Sequence, residues 1–105
     1  MRDKILKKIR DVFPQADAGA VLEKFESQTY PEKERVALAI LKLCEEREYD
    51  SPDGLIEIAQ GDFRDVLMWA EYPNEMHVQS WKEPADKVRK VQKKDRDQYL
   101  DWLNK

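Results

Sequence analysis

The chain has 105 residues, 41% hydrophobic and 39% charged, which suits one domain with a single modest core and argues against disorder throughout. Three glycines without a glycine-rich stretch exclude phosphate-cradling loops, while one cysteine and one histidine exclude a disulfide framework and a cysteine- or imidazole-based zinc site. A net charge of -3 removes any global attraction to nucleic acid or acidic membranes.

The charge is unevenly spread. Residues 1–10 hold five bases and one acid, residues 82–96 seven bases and three acids, and residues 11–81 six bases and sixteen acids. Basic ends therefore flank an acidic middle, and the expectation is that they neutralise it on folding. The most apolar run, Val36 to Leu41, is far short of the ~20 residues of a membrane span. The opening residues alternate charged and apolar, unlike the apolar core of a secretory signal. With lone Cys44 inside an apolar pattern, the expected location is a reducing cytoplasm.

Prolines at 14, 31, 52, 73 and 84 punctuate the chain, and between them the apolar spacing is helical. Ile5, Leu6, Ile9, Val12 and Phe13 form one amphipathic stripe. Ala18, Val21, Leu22 and Phe25 form a second, with Asp17 as its N-cap. Residues 31–48 are the greasiest segment: Pro31 suits a first helical turn, Glu32 and Glu34 favour its positive end, and Val36 to Cys44 leave little polar surface. A helix apolar nearly all round is the one the others pack against, so this is the expected central helix.

Ser51-Pro52 then opens a short helix through Leu55, Ile56, Ile58 and Ala59, which Gly61 can end in the left-handed conformation. Asp62 caps the next, where Phe63, Val66, Leu67 and Ala70 face inward and Trp69 and Tyr72 lie on a neighbouring face. Residues 73–83 read as a loop. A last helix runs from Pro84 to about Leu103, its stripe formed by Val88, Val91, Tyr99 and Trp102. Strands have no support, because alternating β-branched runs are absent. The expected fold is all-α, a single compact bundle of five or six helices around residues 31–48.

No constellation for catalysis emerges. Asp50 to Gly54 puts Pro52 and Gly54 where a calcium loop needs oxygen ligands. Cys44 reads as buried among leucines and His77 as a loop residue, which does not make a nucleophile and base. No catalytic residue, metal or cofactor is expected. Two surfaces could bind. Trp69, Tyr72, Trp81, Tyr99 and Trp102 crowd the C-terminal half, either as a core layer between the last two helices or as an exposed aromatic patch for a protein or peptide partner, for which Trp69, Tyr72 and Trp81 are the candidates. Lys87, Lys90 and Lys94, among the bases of the last helix, could form a basic patch for nucleic acid. The first reading is preferred, because the acidic middle opposes nucleic acid. One polar residue is structural: Asp95 falls on the apolar stripe of the last helix, so it should be buried against a cation or several donors, with Arg64 as the candidate cation.

Arg64 to Pro73, Tyr30-Pro31 and Asp95 to Leu103 together resemble a small bacterial family of helical proteins with no assigned activity. The likeness covers most of the chain. It implies a bacterial, cytoplasmic helical domain and carries over no functional residue.

Overall fold

The computed structural model describes residues 2–75 and 82–105. Five helices follow one another: α1 (Arg2–Val12), α2 (Ala18–Glu26), α3 (Lys33–Arg47), α4 (Asp53–Glu71) and α5 (Ala85–Leu103). Ile5, Ile9 and Phe13 bury the stripe of α1 and its exit, and Val21, Leu22 and Phe25 that of α2. Asp17 caps α2 as its position implies, its carboxylate accepting the Ala20 N–H at 3.2 Å.

Helix α3 is the centre. Every residue from Val36 to Cys44 is buried, and α1, α2 and α4 all pack against it. The run includes Lys42, whose stem lies in the core while its ammonium reaches Glu46 one turn on. Pro31 is not in the first turn of α3, as its residue type suggests. Glu32 takes a left-handed φ of 53° between them, so the helix begins at Lys33. The Glu32 carboxylate meanwhile meets Arg35 at 3.2 Å.

The two helices expected over residues 51–72 run on as α4, broken at Asp62 by an extended φ of -151° and ψ of 101°. The Asp62 carboxylate accepts the Arg64 N–H at 3.0 Å, so it caps the second half as expected. Gly61 does not turn left-handed, and among the described residues no glycine does. The extended Asp62 makes the break alone. Ile58 is exposed, because it sits roughly 110° round the helix from the middle of the Leu55, Ile56, Ala59 stripe.

Helix α5 leans on α4, and among the described residues its buried side chains lie in its second half. Tyr99 and Trp102 are buried and stacked, with ring centroids 5.9 Å apart, whereas Val88 and Val91 are half-buried. Trp102 ties three helices together. Its indole N–H donates to Glu45 of α3 at 3.3 Å, and the Lys8 ammonium of α1 lies 4.3 Å from its ring centroid. Lys8 also donates to the Trp102 carbonyl and Lys7 to that of Lys105, so cations of α1 cover the carbonyl end of α5.

Candidate functional site

The backbone turns after Tyr72, and α4 and α5 diverge around an open groove of about 970 Å³. Met68 and Tyr72, four apart and so on one face of α4, line one wall, and Val88 and Leu100 line the α5 side. Met68, Leu100 and Tyr72 are 47%, 46% and 37% exposed. Among the described residues these are three of the five exposed large hydrophobic side chains, the others being Tyr49 and Ile58. Clustering is what distinguishes a binding surface from scattered exposed residues.

The polar groups of the groove are asymmetric. On the α4 side, Glu71 is nearly buried and held by both arms of Arg35, at 2.8 and 2.6 Å. That fork raises the Arg35 pKa and ties the start of α3 to the end of α4. Glu75 accepts the Gln92 side-chain amide at 2.9 Å. On the α5 side stand Arg89, Lys93 and Arg96. Arg89 and Lys93 pair locally with Asp86 and Asp97, and Arg96 has no carboxylate partner among the described residues. Tyr99 completes the lining, and its buried hydroxyl also lacks a hydrogen-bond partner among them. Burial first, then the Glu71 carboxylate, pushes that phenol above its ordinary range.

The residues singled out from the sequence do not all meet here. Tyr72 lines the groove, whereas Trp69 is half-buried with the Arg47 guanidinium 5.4 Å from its ring centroid. Trp81 and His77 lie outside the described residues. Lys87, Lys90 and Lys94 are exposed on α5 and none of them lines the groove. Lys87 meets Glu83 at 3.1 Å. The bases of α5 that find acids thus find them one turn away along the chain, not in the acidic middle as expected, because i,i+3 and i,i+4 neighbours are the nearest available.

Asp95 is wholly buried, and donors face it rather than a cation. Arg64 is not its partner: that guanidinium is exposed and turned back to Asp62 at 3.1 Å. Cys44 is buried, its thiol directed at the Ser51 carbonyl at 3.8 Å, and burial pushes its pKa up to about 11. A thiol held protonated is a poor nucleophile. Among the described residues no group of three or more His, Cys, Asp or Glu side chains is placed to hold a metal ion.

Fold and groove together define an all-α five-helix domain with an apolar, one-sidedly basic cleft. No family model, no curated protein and no solved structure matches the chain.

Proposed function

We propose that this chain is a non-enzymatic protein-interaction domain of the bacterial cytoplasm that receives the apolar face of a partner helix between α4 and α5. The observation that carries the reading is the gathering of Met68, Tyr72 and Leu100, exposed, in one cleft walled by two helices. Such a cleft suits helix-in-groove recognition, in which i, i+3, i+4 and i+7 anchors of the partner fill an apolar trough. The buried, protonated Cys44 supports a role without covalent chemistry. It also suits a reducing compartment, and among the described residues no helix is long and apolar enough to cross a membrane.

A photo-crosslinking amino acid placed in cells at position 100, and separately at position 58, tests this. Both sites are exposed apolar positions, but only the first lies in the groove. A discrete protein adduct at 100 and none at 58 is expected. Equal labelling at both sites, or none at either, removes the groove as the binding surface.

A second reading, nucleic-acid association through α5, is favoured by Lys90, Lys94 and Arg96, which have no carboxylate partner among the described residues. The local pairing of Lys87, Arg89 and Lys93 weakens it, since phosphate neutralisation supplies most sequence-independent affinity. Duplex DNA is expected to bind weakly or not at all at physiological salt; a salt-sensitive submicromolar complex would reverse the ranking.

A further inference from the structure

The charge along the groove narrows the class of helix it takes. Arg89, Lys93 and Arg96 fall at i, i+4 and i+7, a single row along one edge of α5 about 10 Å long. The row is available to a ligand: Arg96 has no carboxylate partner among the described residues, and the pairs of Arg89 and Lys93 are exposed ones that are cheaply exchanged. Of the facing carboxylates, Glu71 is gripped by Arg35, while Glu75 accepts the neutral Gln92 amide and keeps its charge. Three cations along the α5 edge thus outnumber Glu75, the one facing carboxylate that no cation holds among the described residues, next to apolar surface. We propose that its occupant is an acidic amphipathic helix of another protein, whose apolar face lies on Met68, Tyr72 and Leu100 and whose carboxylates, one per turn along one edge, face the α5 row.

This inference rests on the groove being a docking site for a helix. Val88 to Leu100 runs about 18 Å, which accommodates about three turns of a partner helix. A nucleic acid strand fits less well, since among the described residues Tyr72 is the one exposed aromatic of the groove and single strands use successive stacking platforms.

The test uses the full chain and two fluorescein-labelled helical peptides of about three to four turns, with leucines spaced i, i+4, i+7 and i+11. One carries glutamates beside the leucine stripe and the other carries lysines at the same positions. Fluorescence anisotropy is expected to show the acidic peptide binding at least about tenfold more tightly, with an advantage that shrinks as salt is raised. The double variant Lys93→Glu/Arg96→Glu should reverse the preference, and Leu100→Glu should weaken both peptides, with circular dichroism confirming that each variant is folded. Equal binding of the two peptides, both lost in Leu100→Glu, overturns the charge assignment and leaves the groove as a docking site. Binding of neither peptide, or binding indifferent to Leu100→Glu, overturns both. Displacement of the acidic peptide by lower concentrations of single-stranded DNA overturns it in favour of nucleic acid. A dimer by sedimentation that Leu100→Glu dissociates overturns it in favour of a second copy of this chain.

Discussion

Asp95 and Asn74 are joined twice over: both oxygens of the buried carboxylate share the Asn74 backbone N–H at 3.2 Å, and Oδ1 accepts its side-chain amide at 2.7 Å. The Glu75 N–H adds a further bond at 2.8 Å. Successive backbone N–H groups thus form a small anion nest, and the anion is a side chain from α5. The arrangement ties the turn after α4 to the middle of α5. Glu75 and Gln92, which lie on the groove, are bonded to each other beside this tie.

Replacing that carboxylate should therefore destabilise the fold, and the partner should be Asn74. Asp95→Asn loses charge-assisted acceptors and is expected to cost about 1–3 kcal/mol by urea unfolding, and Asp95→Leu at least as much. A double-mutant cycle with Asn74→Ala should show coupling well above the ~0.3–0.5 kcal/mol scatter of independent sites, and a cycle with Arg64→Ala should not. A neutral or stabilising Asp95→Leu would mean that the nest does not hold the turn.

Ile40 and Leu41 are fully buried at the middle of α3. Truncating either to Ala removes transfer free energy and leaves a cavity, and should cost about 2–5 kcal/mol. For a domain of ordinary stability this would leave a visible unfolded fraction in the thermal melt. An unchanged melting temperature in both variants would remove α3 from the centre of the fold.

The helices were legible because burial imposes a period on apolar residues, and Ile5, Ile9, Val21, Leu22 and Phe25 follow it without exception. Asp95 was legible for the same reason in reverse, as a charge standing where the period demanded an apolar group. Its partner was not, because the donors are backbone N–H groups, which every residue but proline carries and which no side chain marks. The groove was equally hidden. Met68 and Leu100 differ from core residues only in what fails to cover them, and the Arg35–Glu71 fork joins residues 36 apart in sequence that a topology, not a spacing, brings together. Left-handed Glu32 and Glu48 left no trace either, since glycine is the residue that normally signals that conformation.

Glu48 gives a prediction of opposite sign. It ends α3 with φ 55° and ψ 42°, and its backbone N–H and that of Tyr49 return to the Glu45 and Cys44 carbonyls at 3.4 and 2.9 Å. The hydrogen bonds are those of a helix that turns left-handed to stop, but the residue carries a Cβ that crowds its own backbone there. Glu48→Gly relieves the crowding while widening the freedom of the unfolded chain, and the first effect should dominate, raising stability by about 0.5–1 kcal/mol. A lower urea midpoint for the variant would show that the Glu48 side chain contributes more than its backbone costs.

Alkaline pH should unfold the protein, and the groups responsible can be named. Burial raises Cys44 from 9.0 to about 11 and Tyr30 from 10.0 to about 12, and burial together with Glu71 raises Tyr99. Each is neutral when protonated, so the folded state keeps these protons where the unfolded state releases them. Stability from this source is complete below pH 9 and is lost as pH climbs through the folded values. Lys8 acts in the other direction: burial lowers its pKa, so the folded state sheds that proton first and gains from rising pH. Three acids outweigh one base, and two decades of proton affinity are worth on the order of 2–3 kcal/mol per group. The urea midpoint should therefore fall steadily from pH 9 to pH 11. Cys44→Ala should make the early part of that fall shallower, because it removes the thiol that begins to titrate first. Native protein at pH 8 should react with a thiol reagent only as fast as it unfolds, accelerating with added urea. A midpoint that stays level to pH 11, or a thiol labelled at the rate of a free cysteine without denaturant, would mean that Cys44 is not on the buried face of α3 as the structure places it.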